Sequence, residues 1–185
     1  MNNLILASAS ERRSHILNDL GYSFEVIVPV TREAFYPENA RRTAKENSML
    51  KNSEIRRLRP NNIVLSADTV IEFNGRTIAK PSCMDEARSF LREFSGRTHR
   101  VLTAVTISGP NNLPETEIEE SSVTFKELDN TAIEEYLEKT DPLHKAGAYN
   151  IDQHGEMIIK SFAGSYTNVM GLPAELVSKW LKKIQ

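Results

Sequence analysis

Four apolar residues, Leu4-Ile5-Leu6-Ala7, stand almost at the start of the chain and break abruptly into Ser8-Ala9-Ser10. So short and unbroken an apolar run reads as a buried strand. A helical pattern follows at once. Glu11 to Leu20 puts Ile16, Leu17 and Leu20 on one face, Gly21 supplies a natural stop, and Ser10 is the expected N-cap. Strand, tight polar loop and helix in direct succession predict an α/β chain.

The rest of the sequence repeats the alternation. Phe24–Val28 reads as a strand closed by Pro29, and Glu38–Leu58 as a polar, loosely periodic helix broken by Arg59-Pro60-Asn61-Asn62. Ile63–Ala67 is an apolar strand ending at Asp68-Thr69. Val70–Phe73 and Arg76–Ala79 flank Asn74-Gly75, the strongest short hairpin signal. A helix is expected over Met84–Phe94, and two antiparallel strands over Arg100–Ile107 and Glu117–Phe125 around a Gly109-Pro110-Asn111-Asn112 loop. Asn130 should cap a helix reaching Lys139, Met157–Ser161 should be a strand, and Leu172–Ile184 a terminal helix with Pro173 in its first turn. No repeat, low-complexity stretch or long linker divides residues 1–185, so one mixed α/β domain is expected.

Composition narrows the function classes. With 23 basic and 25 acidic residues the net charge is −2, which argues against a protein whose main ligand is nucleic acid but leaves room for a small phosphorylated one. Cys83 is the only cysteine, so no intrachain disulfide can form, and no histidine base adjoins it. The N-terminal apolar run is too short for a signal peptide or a membrane span. A cytoplasmic location, away from membranes, is the expectation.

Several stretches could carry chemistry, and each has a plainer reading beside it. Ser8, Ser10, Arg12 and Arg13 surround a helix start, where free N–H groups and the dipole favour an anion; the same residues could be a solvated basic turn. Asp68-Thr69 at the end of an apolar strand could hold a cation or supply a base, or merely begin a turn. Lys80 before Pro81 could return a cation to the same edge, and Glu33 could add a second carboxylate, although each could be a surface residue. Gly147, Gly155, Gly164 and Gly171, interleaved with Tyr149 and Tyr166, could bring backbone close to a ligand or form tight turns. His15, His99, His144 and His154 show no metal-ligand spacing.

Taken together, LASASERR, LSADTVI, AKP, SGRTHRVLTAV, DPLHKAGAY and GSYTNVMGLP resemble, in order and spacing, the motifs of the Maf family of nucleotide pyrophosphatases. The resemblance implies a mixed, twisted sheet with flanking helices in two lobes around a cleft, related to the inosine-triphosphate pyrophosphatases. It implies hydrolysis of nucleoside triphosphates to monophosphate and pyrophosphate with Mg²⁺ or Mn²⁺, commonly by a homodimer. Carried over by position, Ser8 and Arg13, with Ser10 beside them, would hold phosphates, and Lys80 would neutralise their charge. Glu33 and Asp68 would organise the metal, with Asp68 as general base. Arg12, Thr69 and Asp152 would choose the base; the first two resemble the branch acting on dTTP and UTP, whereas Asp152 stands where that branch has Gln. Gln153 would answer only after a one-residue shift, which on a strand would turn it to the opposite side.

Three other departures bear on activity. Asn47 replaces a phosphate-contacting Lys, with Lys51 one helical turn beyond on the same face. Glu11 replaces a Pro and Ala104 a Gly. On this reading Asn47→Lys should improve the enzyme. A nucleotide-binding regulator of cell division with little turnover is the second reading, resting on Asn47, Glu11 and Asp152. The GxxxxGK[ST] loop and the kinase signatures are absent from the sequence.

Overall fold

A computed structural model describes residues 3–110 and 112–184, so Asn111 of the expected loop lies outside the described residues. The first apolar run is the buried strand β1, Leu4–Ala7, paired in parallel with β2 (Phe24–Val26) on one side and β3 (Ile63–Phe73) on the other. Helix α1 (Glu11–Asp19) makes the crossover from β1 to β2. β3 does not stop at Asp68-Thr69 as its apolar stretch suggests but runs for 11 residues. The reason is its second neighbour. β5 (Thr98–Gly109) pairs antiparallel with it from Val64↔Ser108 to Glu72↔Arg100, holding the backbone extended beyond Ala7↔Ser66, the last pair with β1.

Beyond β3 the Asn74-Gly75 hairpin forms as expected, with both residues at positive φ (51° and 76°), and returns as β4 (Arg76–Ile78). β5 continues into β6 (Asn112–Phe125), and β6 pairs with β7 (Ile159–Ala163). The mixed seven-stranded sheet has the order β2-β1-β3-β5-β6-β7, with β4 on β3.

Two cores occupy opposite ends of the long strands on one face of the sheet. Leu65 and Val105 belong to one, with Leu6, Leu17 and Trp180, under α1 and the terminal helix. Ile71 and Val101 belong to the other, with Phe94, Phe125 and Tyr136, under α3 (Met84–Phe94) and α4 (Asn130–Lys139). These are the two expected lobes. The opposite face carries the 19-residue helix α2, Ala40–Leu58, and here the packing is largely polar. Asn52 donates to the Val64 and Thr106 carbonyls (2.8 and 3.1 Å) and accepts from Ser108 Oγ (2.7 Å). Ser66 Oγ donates to the Ser48 carbonyl (2.7 Å), and Ser48 Oγ pairs with Thr106 Oγ1 at 2.7 Å. Hydrogen bonds, rather than an apolar stripe, set the register of α2, so its hydrophobic periodicity is weak. Ala104 packs here against Ala40, Ala44 and Val70.

Several boundaries differ from the sequence expectation. Asn39 caps α2, accepting from Arg42 N, and Asp129 rather than Asn130 caps α4, accepting from Ala132 N at 2.8 Å. A short helical turn, α5 (Gly155–Ile158), replaces the beginning of the expected last strand, and an unexpected turn, α6 (Tyr166–Met170), precedes the terminal helix α7 (Ala174–Ile184). Pro173 lies just outside α7, its carbonyl accepting from Val177 N at 3.1 Å. Among the described residues no helix is long and apolar enough to cross a membrane.

Candidate functional site

The alternation of β3 divides the site between the two faces of the sheet. Val64, Ser66, Asp68 and Val70 face α2, and Leu65, Ala67, Thr69 and Ile71 face the lobes. Asp68 therefore meets α2, while its neighbour Thr69 meets α1 and the C-terminal segment.

Where β1 hands over to α1, Ser8 is buried, and its Oγ accepts from Ser10 N (3.1 Å) and Arg13 NH1 (3.0 Å). Both lone pairs are used, and the hydroxyl hydrogen is left as a donor. Arg13 also donates from Nε to the Gly171 carbonyl (2.8 Å) and from NH2 to Thr69 Oγ1 (3.1 Å). Burial lowers its pKa and the charge of Asp68 opposes the shift. Two of its five N–H groups are not committed to these three bonds. Ser10 holds the N-cap position with extended backbone, but its side chain makes no capping hydrogen bond, contrary to expectation. Its backbone N–H is drawn to Ser8 instead. An uncapped first turn is the condition under which a helix start takes an external anion.

On the other face, three segments bring four polar side chains together. Lys51 Nζ lies 2.6 Å from Asp68 Oδ1 and 2.6 Å from Glu33 Oε1. Asn47 Nδ2 donates to Asp68 Oδ2 (3.2 Å) and to the Ala34 carbonyl (3.1 Å), while its Oδ1 accepts from Ala34 N (2.7 Å). The residue after Glu33 is thus clamped through both backbone groups. Glu54 secures the same loop further back, accepting from Val30 N (3.0 Å) and Thr31 N (2.8 Å). Lys80 Nζ stands 3.9 Å from Glu33 Oε2. Burial raises the Asp68 pKa despite Lys51. Burial would also raise that of Glu33, but Lys51, Lys80 and Arg13 outweigh it and the net shift is downward.

Ser10, Arg12, Arg13, Lys51, Asp68, Thr69 and Lys80 line one recess, and Ser8, Glu11, Glu33, His144, Lys145, Asp152 and Gln153 extend it. At its far end Arg12 NH1 donates to Asn150 Oδ1 and lies 3.7 Å from Asp152 Oδ1. Gln153 Oε1 accepts from Asn150 Nδ2 at 2.9 Å. Residues 151–154 form a bend rather than a strand. Asp152 and Gln153 therefore both line the recess, and the expectation that neighbours there must point apart does not hold.

Ser8, Ser10, Arg12, Arg13, Glu33, Asp68, Thr69, Lys80 and Asp152 all border this cleft, as do Tyr149 and Gly171, whereas Gly147, Gly155, Gly164 and Tyr166 do not line it. Three further side chains shape the site. Asn47, where the family resemblance expects a lysine, is a clamp on Ala34, Lys51 spans both carboxylates, and Asn150, which carries no sequence signal, joins Arg12 to Gln153. Among the described residues no three or more His, Cys, Asp or Glu side chains gather into a metal cage. The carboxylates of Glu33 and Asp68, both already held on one cation, are the hard-oxygen pair a divalent ion could use.

Comparison with known proteins gives the family and the fold. The Maf-like protein family model matches residues 3–184. The chain is 40% identical to the dTTP/UTP pyrophosphatase of Dechloromonas aromatica (strain RCB), over 98% of this chain and 96% of that protein. It is also 40% identical to the dTTP/UTP pyrophosphatase of Akkermansia muciniphila, over 96% and 94%. Two solved structures share the fold at low identity. A HAM1 protein from Coxiella burnetii has a TM-score of 0.58 at 15% identity over 99% of this chain and 100% of that one. The Staphylococcus aureus Ham1 protein has 0.53 at 16%, with both chains covered at 100%. With a family match across nearly its whole length and relatives at this identity, the chain belongs to the Maf-like protein family.

Proposed function

We propose that the cleft hydrolyses a nucleoside triphosphate, dTTP or UTP, between the α- and β-phosphates to yield the monophosphate and pyrophosphate. The observation that carries this reading is the convergence, in one recess, of an uncapped helix start, four cations (Arg12, Arg13, Lys51 and Lys80) and a buried carboxylate. The triphosphate tail lies against the Ser8 hydroxyl, Ser10 and the free N–H groups of Arg13, with Lys80 and Lys51 offsetting its charge. Asp68 takes a proton from the water that attacks the α-phosphorus, and pyrophosphate leaves. Burial suits Asp68 to this role, because a carboxylate with a raised pKa is a stronger base. Asn47 holds its Oδ2, and before a metal enters Lys51 holds its Oδ1.

Glu33 and Asp68 would hold Mg²⁺ or Mn²⁺, which take one or two carboxylates and complete their shell with phosphate oxygens and water. Such an ion would supply charge neutralisation on the phosphates. Arg12, Thr69, Asp152 and Gln153 face the base end. Uracil and thymine offer one ring N–H and two carbonyls, which an acceptor Asp152 and the amide of Gln153 complement.

The position of Lys51 supports an enzyme over a binding-only regulator, since it restores a cation where Asn47 removed one. A panel of dTTP, UTP, CTP and 7-methyl-GTP with Mn²⁺, assayed for pyrophosphate, tests the reading. Release from dTTP and UTP is expected. Measurable nucleotide binding with no release from any of the four would favour the regulator.

A further inference from the structure

We propose that Lys51 is a resident counter-ion of the Glu33–Asp68 pair, and that a divalent cation can enter only by expelling its ammonium. The inference rests on the metal role just assigned to these carboxylates and adds what occupies the pair before metal arrives. The ammonium contacts one oxygen of each carboxylate at 2.6 Å, so it stands between them. It is well screened, with the Lys51 side chain only 13% exposed and that of Asp68 9%. Little water competes for the Lys51–Asp68 contact, and attraction there is correspondingly strong, whereas Glu33, with its side chain 45% exposed, meets more solvent.

The backbone under Lys51 has nowhere to go. Ser48 and Asn52, on either side of it in α2, are completely buried and bonded to β3 and β5. Asn47 fixes the facing loop through Ala34. The lysine stem is thus the mobile part of the arrangement, and the ammonium can leave the carboxylates only by swinging into the cleft.

Electrostatics gives the consequence. With Lys51 in place, the two carboxylates and one ammonium sum to a single negative charge; without it, the pair presents two. A divalent ion is drawn more strongly to the second arrangement and does not have to break two charge-assisted hydrogen bonds. Lys51 therefore keeps stray cations out of a nucleotide-free cleft.

The test is calorimetric titration of nucleotide-free protein with Mn²⁺ for the unaltered chain, Lys51→Met and Lys51→Gln, each checked for native melting. The proposal expects both variants to bind Mn²⁺ about tenfold or more tightly than the unaltered chain. Equal or weaker binding by the variants, or no Mn²⁺ binding by any of the three, overturns it. Should neither variant fold, NMR of the lysine ammonium groups in the unaltered chain answers the same question. The protected Lys51 signal should shift or vanish as Mg²⁺ is added, and a signal unmoved at saturating Mg²⁺ overturns the proposal. Neither readout uses turnover. A chain that releases no pyrophosphate would defeat the assigned activity while leaving this metal competition to be decided on its own.

Discussion

Replacing Asn47 separates a vacant lysine position from a structural clamp. By family resemblance Asn47→Lys should strengthen phosphate binding, but the structure predicts the opposite. Asn47 is 3% exposed, and its amide makes three hydrogen bonds: two to the backbone of Ala34 and one to Asp68. Asn47→Ala removes all three and leaves the Ala34 N–H and carbonyl without these partners. At about 0.5–1.5 kcal/mol for each net hydrogen bond, the expected loss is about 2–4 kcal/mol of stability. For a chain of this length that corresponds to a fall in Tm of about 4–16 °C. Asn47→Lys breaks the same clamp and adds a second ammonium beside Lys51, so it should also lower turnover. Thermal melting and pyrophosphate release measure the two effects. A Tm within about 1 °C of the unaltered chain for Asn47→Ala, or a gain in kcat/KM for Asn47→Lys, would refute the clamp.

His99 predicts an acid-side loss of stability. Burial holds its imidazole at about 3, below the ordinary 6.5, so the folded chain binds fewer protons than the unfolded chain between those values. Stability from this group is full above 6.5 and declines as pH falls toward 3. Between about pH 6.5 and pH 4.5 the unaltered chain should lose about 2–3 kcal/mol more than His99→Gln in denaturant titrations, and parallel curves would contradict this. Asn52→Leu deletes the amide that ties α2 to the Val64 and Thr106 carbonyls and to Ser108 Oγ, so chemical denaturation should show a loss of about 2–4 kcal/mol. Gly147 has φ +66°, and a Cβ there would stand 2.5 Å from Ile71 Cδ1 and 2.9 Å from Phe94 Cε2. Gly147→Ala should therefore cost about 1–3 kcal/mol, read from its denaturation midpoint.

Much of the fold was legible where one local signal decides the outcome. The leading strand, the Asn74-Gly75 hairpin and α3 depend on apolar runs, positive φ and amphipathic spacing, and they stand where the sequence put them. The elements that shifted are decided by distant partners. β3 passes through Asp68 because β5 lies alongside, and α2 is held by Asn and Ser side chains whose partners sit some 12 to 58 residues away. The site shows the same division. Its acids and cations were visible as residue types at motif positions. That Asn47 clamps a loop, that Lys51 spans two carboxylates, and that Asp152 and Gln153 share one recess became clear only from tertiary contacts.

In the proposed reaction Asp68 accepts the proton from the attacking water. Asp68→Asn preserves the shape of the side chain and abolishes its basicity, so pyrophosphate release from UTP or dTTP with saturating Mn²⁺, measured beside nucleotide binding, tests that role. Turnover should fall about 10²–10⁴-fold with nucleotide still bound. Turnover equal to that of the unaltered chain would contradict that role.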